Sequence, residues 1–308
     1  MKKIFAFSLV AAMCVVFAAC GGSGTSSQKE QPSQQNTQGQ TESSNSSSAT
    51  TQEPATTPDP KNVTISETVL LDEANVKVTA KSLETGGIFG PEIKLLIEND
   101  SGKDLTFQCR NSSVNGYMID TMMSVEVGDG KKANDSLTFT KSDLKEAGIE
   151  IIADIDFSLH IFTTEGWETY LDTPQIQIET SAAEAYEYMF DDSGDLAYSG
   201  EGIKIVTRGL SEDQSILGPS IVVYIENNSD ENVTVQARDV SINGFMVDTI
   251  FSSDVLMGKR VVDTITFLSS DLEENGITSI EDVELSFHIF DSAGWDTVVD
   301  TDPITLTF

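Results

Sequence analysis

Residues 88–107 read IFGPEIKLLIENDSGKDLTF, and residues 216–235 read ILGPSIVVYIENNSDENVTV. In each, a Gly-Pro pair opens a run rich in Ile, Leu and Val that closes on Ile-Glu-Asn. A cluster drawn from Asn, Asp, Ser and Gly follows, and then the apolar alternation resumes. Period-two alternation is what a strand with one buried face requires. The polar cluster supplies the backbone conformations of a turn. The stretch therefore spells strand, turn, strand, and spells it twice. The likeness runs without a gap from 88–180 onto 216–308, through Asn115-Gly116 and Asn243-Gly244, FSLHIF (157–162) and LSFHIF (285–290), and the turns holding Trp167 and Trp295. The chain is an internal duplication.

Within a repeat, other segments read as further strands. Residues 63–71 and 76–83 carry β-branched alternation, and Leu105, Phe107 and Cys109 share one face. An Asn-Gly pair takes the positive φ that a two-residue hairpin needs, so Asn115-Gly116 and Asn243-Gly244 are turns. Residues 142–148 form a short helix with Ser142 as N-cap and Gly148 as stop, repeated at 270–276. Short strands at close spacing with one brief helix predict an all-β fold: two tandem Ig-like β-sandwiches, 61–180 and 181–308. The Cys…Trp…Cys set of immunoglobulin domains is absent, so "Ig-like" describes architecture only. One residue has been gained or lost in the loop before Ile88, and the short joint near 180–185 predicts a limited range of relative orientations.

Composition narrows the partners. With 18 Lys and Arg against 50 Asp and Glu, the net charge is −32. Nucleic acid and anionic lipid both need a basic surface, so neither is a partner. The charge keeps surface molecules apart and would attract cations or a basic partner. The cysteines are Cys14, Cys20 and Cys109, which leaves no disulfide framework in a mature chain. Cys109 reads as a small core residue.

Residues 1–19 carry Lys2, Lys3 and a short apolar run, the layout of a secretory signal peptide rather than a membrane span. The tetrad Phe17-Ala18-Ala19-Cys20 resembles the lipobox of bacterial lipoproteins, with Phe17 where Leu is commoner. That resemblance implies a diacylglycerol or fatty acyl lipid on Cys20, a membrane anchor and an extracytoplasmic location. Residues 20–60 are mainly Ser, Thr, Gln, Gly and Pro with almost no apolar side chain, and they read as a disordered tether spanning roughly 35 Å. A Cys-Gly-Gly start with such a tether resembles Gram-positive surface lipoproteins. The IENDSGKDLTF and IENNSDENVTV segments, each followed by a Gly turn, resemble the Ig-like, telokin-like domains of such lipoproteins, whose function is undefined.

The groupings that chemistry requires are sparse. His160 and His288 stand alone in their repeats, and Ser158 and Ser286 lie two residues away on the same strand, with side chains parallel to the histidine rather than converging with it. Neither repeat holds a metal quartet. Asp191, Ser193 and Asp195 place oxygens at alternate positions, as a calcium loop begins. Leu196 then stands where an EF-hand needs Gly, and Gly202 where it needs Glu, so a solvated loop is the default reading and Ca2+ the alternative. Asp291, Asp296, Asp300 and Asp302 surround Trp295 as a second oxygen-rich edge. Trp167 and Trp295 each follow a Gly in a turn: buried rings would cap the sandwich, and solvent-facing rings would form a ligand rim. Gly130-Lys131-Lys132 and Gly258-Lys259-Arg260 lack phosphate-loop spacing, and no nucleotide fingerprint occurs. The expectation is a lipid-anchored, non-enzymatic binding or protein-interaction module of the cell envelope, with an envelope protein or glycan as partner. The alternatives are a spacer or adaptor in an envelope assembly and, third, a hydrolase.

Overall fold

The computed structural model describes residues 59–186, 188–211 and 216–308. The expected signal peptide, Cys20 and the tether up to residue 58 lie outside the described residues. After a 3-10 turn at Pro60–Asn62, the first repeat comprises β1 (Thr68–Glu73), β2 (Val76–Glu84), β3 (Glu92–Asn99), β4 (Leu105–Val114), β5 (Tyr117–Met118), β6 (Thr121–Met122), β7 (Ser124–Val127), β8 (Lys131–Phe139), α1 (Lys141–Glu146), β9 (Asp154–Thr163), β10 (Thr169–Asp172) and β11 (Ile176–Glu179). The second follows the same plan with β12 (Asp195–Gly200), β13 (Ile203–Leu210), β14 (Ser220–Asn227), β15 (Val233–Ile242), β16 (Phe245–Met246), β17 (Thr249–Ile250), β18 (Ser252–Val255), β19 (Arg260–Phe267), α2 (Ser269–Glu274), β20 (Asp282–Asp291), β21 (Thr297–Asp300) and β22 (Ile304–Thr307). The fold is all-β, two tandem sandwiches with one short helix each.

In the first repeat, five strands run in the order β1-β2-β3-β8-β6, and a second sheet packs on them in the order β10-β9-β4-β5, with β7 and β11 added. The second repeat has the corresponding sheets, β12-β13-β14-β19 with β17, and β16-β15-β20-β21 with β18 and β22. Alternation explains the layering. Every second residue of β3 is buried, and Ile93, Leu95 and Ile97 meet Phe107, Phe157 and Leu159 from the opposite sheet. Ile221, Val223 and Ile225 do the same against Val235, Leu285 and Phe287.

The two sandwiches are not separate beads. β5 pairs with β19 in parallel, with Arg260 opposite Tyr117, and this joins the second sheet of repeat one to the first sheet of repeat two as one 11-stranded sheet. The Arg260 peptide N–H donates to Gly116 O at 3.0 Å. The Tyr117 ring lies between Phe190 (5.6 Å) and Tyr224 (6.4 Å). The Arg260 guanidinium sits 3.7 Å over Phe190 and 2.6 Å from Glu226, and Lys259 Nζ reaches Asp156 Oδ2 at 2.5 Å. Both repeats fall in one compact unit.

Local chemistry departs from the sequence reading at the helix. The N-cap is Thr140 rather than Ser142, and its hydroxyl donates to Asp120 O instead of capping. The corresponding residue in repeat two is Leu268, which has no capping atom. The Lys141 N–H is satisfied from outside the helix, by Phe89 O at 2.9 Å. Gly148 does end the helix, at φ 69°. β1 starts at Thr68, although Val63 is already buried. Gly90 and Gly218 explain the Gly-Pro motif: a Cβ on them would stand 1.8 Å from Phe139 O and 2.0 Å from Phe267 O.

The Asn of each Ile-Glu-Asn is fully buried. Asn99 Nδ2 donates to Lys103 O (2.8 Å) and Val127 O (2.7 Å), and its Oδ1 accepts from the Ser101 N–H; Asn227 repeats this with Glu231 O, Val255 O and Ser229. Asn115 and Asn243 do more than turn. Asn115 Oδ1 accepts from the Ala153 and Asp154 N–H groups, and Asn243 Oδ1 from Glu281 and Asp282, which pins the lead into β9 and β20. Removing a partner from a buried carbonyl costs about 1–3 kcal/mol. Asn99→Ala and Asn227→Ala are each expected to lower unfolding stability by about that much in denaturant titrations, whereas Ser101→Ala, at the turn surface, should change it by less than about 0.5 kcal/mol.

Candidate functional site

β9 and β20 each run into a tight turn that presents a tryptophan. Thr163 N–H bonds to Glu168 O (2.9 Å) and Trp167 N–H to Thr163 O (3.2 Å); in repeat two, Asp291 N–H bonds to Asp296 O and Trp295 N–H to Asp291 O, both at 2.9 Å. This geometry puts Trp167 at φ 58° and Trp295 at φ 64°. A bulky side chain is a true outlier in the left-handed region, where Gly or Asn sits without strain. The indoles stay outside: Trp167 is 76% exposed and Trp295 74%. Each lays one face on a buried phenylalanine, Trp167 on Phe162 (5.4 Å, 16°) and Trp295 on Phe290 (5.5 Å, 15°). The other face meets solvent.

The stack continues inward along the strand. The Phe162 ring stands 5.1 Å from the His160 ring, and Phe290 the same distance from His288. The cross-strand residue opposite each histidine is an aspartate on β10 or β21, and His160 Nδ1 meets Asp172 Oδ1 at 2.5 Å, as His288 Nδ1 meets Asp300 Oδ1. Each repeat thus presents a row of carboxylate, imidazole, phenyl and indole, with the indole as its open end. Ser158 Oγ donates to Arg110 O and accepts from Asn111 Nδ2; Ser286 Oγ donates to Arg238 O. Both serine hydroxyls are thus engaged by neighbouring backbone carbonyls instead of by the His–Asp pairs. An open indole face flanked by carboxylates suits stacking against a flat apolar surface, such as an aromatic, proline or sugar ring. Sequence reasoning named Asp300 only as part of an oxygen-rich edge and did not name Asp172, so the His–Asp pairing was missed, although the same 12-residue separation from histidine to aspartate occurs in both repeats.

The remaining sequence candidates lie apart from this row. The Asp191 carboxylate accepts from the Ser193 N–H at 3.0 Å, Asp192 pairs with Lys204 at 2.5 Å, and Asp195 begins β12. Among the described residues, no group of three or more His, Cys, Asp or Glu converges as a metal-binding set. Asp291 is taken up by the Ala293 and Gly294 N–H groups of its own turn. Cys109 is half-buried, and burial pushes its thiol up to about 11, so it is protonated at neutral pH.

Two further features were not foreseen. Ile88 and Phe89 are 89% and 70% exposed, and Ile216 and Leu217 occupy the same exposed place in repeat two, each pair directly before the Gly-Pro. Where the repeats meet, an open cleft of about 410 Å³ is lined by Asp120, Asp143, Glu146, Asp254 and Asp263. Burial holds the Asp120 and Asp263 carboxyls above the usual carboxylate value, and the Asp143 charge adds to both shifts.

No protein-family model matches the chain, and no curated protein sequence matches it. Among solved structures, the chain is similar to the YadV chaperone, at 9% identity over 70% of this chain and 92% of that one, with a TM-score of 0.23. It is also similar to the CsuC–CsuE chaperone–tip adhesion subunit pre-assembly complex from the archaic chaperone–usher Csu pili of Acinetobacter baumannii, at 12% identity over 70% and 90% of the chains, with a TM-score of 0.20. The fold assignment stands on the sheets themselves.

The cleft has a pH signature. A carboxyl whose folded pKa lies above its unfolded value binds protons preferentially in the native state, so it contributes stability as pH falls and withdraws it as pH rises. Asp120, Asp263 and Asp154 act in that sense, while Glu92, Asp191 and Asp192, held below the usual value by Lys94, Ser193 and Lys204, act oppositely. Asp120→Asn and Asp263→Asn are expected to raise the melting temperature at pH 7, with the gain shrinking as pH approaches about 4. A gain unchanged across that range would show that the substitution acts through packing instead of charge.

Proposed function

We propose that this chain is a membrane-tethered, extracytoplasmic interaction module that works by binding, not by catalysis, and that the two Trp167 and Trp295 faces are its contact points. The observation that carries this is the repeated placement of a bulky indole in the left-handed region with about three quarters of its surface exposed. Backbone strain of this kind persists where surrounding structure over-determines it, and it concentrates at sites of function. A cap serving only stability would be better supplied by a residue that suits the turn, with its ring buried. The phenylalanine beneath and the His–Asp pair behind hold the indole in one orientation, which lowers the entropy lost on binding.

The lipobox-like tetrad ending at Cys20 and the polar tract after it support the tether. Among the described residues no helix is long and apolar enough to cross a membrane. The serines on the histidine-bearing strands are bonded to Arg110 O and Arg238 O and not to the His–Asp pairs, which favours binding over hydrolysis. A protein partner or an envelope glycan fits an open indole with acidic flanks, and the acidity of the chain favours partners that carry positive charge.

The test uses two forms of the chain. Metabolic labelling with a fatty acid should mark the wild-type chain and not Cys20→Ser, and the variant should move from the membrane fraction to the soluble one. The Cys20→Ser chain, titrated with wall glycan fragments and with envelope protein extract, should show a change in indole fluorescence and retain partners. The Trp167→Ala, Trp295→Ala double variant should keep its melting temperature within a few degrees and lose at least about tenfold in affinity, a hot-spot-sized effect. Equal retention by the double variant would overturn the tryptophan faces as the contact points, and no retention by either form would leave the chain as a spacer.

A further inference from the structure

The contact that joins the two repeats has a giving side and a receiving side, and each side occurs twice in the chain while the contact is made once. The giving side is the Asn115-Gly116 hairpin of repeat one: Gly116 O accepts the Arg260 N–H, Tyr117 is inserted, and Asp156 pairs with Lys259. The receiving side is the start of β19, where Arg260 is paired with Glu226 on β14.

Repeat two carries the giving side again. Asn243-Gly244 forms the same turn, followed by Phe245 and Met246, with Glu284 in the position of Asp156. Tyr117 is 4% exposed, whereas Phe245 is 48% and Met246 65% exposed. Repeat one carries the receiving side again. Gly130-Lys131-Lys132 corresponds to Gly258-Lys259-Arg260, and Lys132 pairs with Glu98 as Arg260 pairs with Glu226. Lys132 stands opposite Glu98 in the register in which Arg260 stands opposite Glu226. Alternation along an antiparallel ladder therefore turns the Lys132 N–H away from β3, as the Arg260 N–H turns toward Gly116. The strand that meets β8 on that side, β6, reaches only Thr138 and Phe139.

We propose that a second copy of this chain fills this gap, with the Gly244–Met246 hairpin of one copy docking on the start of β8 in the next, head to tail. In that contact the Gly244 carbonyl accepts the Lys132 N–H, Phe245 lies over Leu96 and Asn134, and Glu284 faces Lys131. Those positions repeat the internal contact with smaller or more polar side chains, since Leu96 replaces Tyr224 and Asn134 replaces Val262. The contact between copies is consequently weaker than the one within the chain, and reversible. Because its two sides differ, it is heterologous and propagates into chains or rings instead of stopping at a dimer.

Sedimentation velocity on the full chain with Cys20→Ser, run over a wide concentration range at moderate salt, tests this. The weight-average sedimentation coefficient should climb past the dimer value with concentration. Phe245→Asp and Lys132→Glu, both at exposed positions and both checked for an unchanged melting temperature, should each stay monomeric alone. Mixed together, they should form dimers and nothing larger, because the first keeps an intact receiving side and the second an intact giving side. A coefficient independent of concentration, an association that survives both substitutions, or a mixture that stays monomeric would each overturn the proposal.

Discussion

The structure turns on one short parallel contact, β5 against β19, made by two residues of a hairpin. A two-residue strand contributes little by itself. Its weight comes from what gathers around it: a tyrosine set among aromatic rings, a guanidinium over Phe190, and the Asp156–Lys259 pair, whose side chains retain 10% and 21% of their exposure. An ion pair this sheltered is strongly orientation-dependent, because removing either charge leaves the other uncompensated. The result is a continuous sheet shared by two sandwiches, in place of a flexible joint. It sets where the Trp167 and Trp295 faces stand, and it leaves one giving and one receiving edge open at the far ends.

Much of the sandwich was legible in the sequence because it is encoded locally. Period-two alternation marked β3, β4 and β9, Asn115-Gly116 marked the hairpin, and Gly148 marked the end of the helix. The N-cap was misread because Ser142 fits the rule, whereas the strand before the helix runs on to Phe139 and the Phe89 carbonyl takes the role of a cap. The buried roles of Asn99 and Asn115 were hidden for a related reason. Both residues sit in turns, where asparagine needs no further explanation, so their long-range bonds left no separate trace.

The site was legible only in part. Trp167 and Trp295 stood out by repetition, but the left-handed backbone that holds them outward runs against what a tryptophan prefers, and local propensity argues for something else there. The pairing of His160 with Asp172 depends on the register between β9 and β10, which sequence spacing hints at and sheet geometry fixes. The seam could not be read at all. Lys259 and Asp156 are 103 residues apart, and nothing in either neighbourhood marks the other as its partner. Divergence between the copies is the trace the seam leaves: Tyr224 and Val262 face the junction in repeat two, where repeat one has Leu96 and Asn134.

The placement of both tryptophan faces and of both open edges requires that the two repeats move as one body. Residual dipolar couplings of backbone amides, measured on the described repeats within the full chain in a dilute aligned medium, test that most directly. A rigid seam requires that amides of β2, β3 and β9 and amides of β13, β14 and β20 fit one alignment tensor of common magnitude and direction. Two tensors of different magnitude, one for each repeat, would show independent motion and contradict the shared sheet as the organising contact.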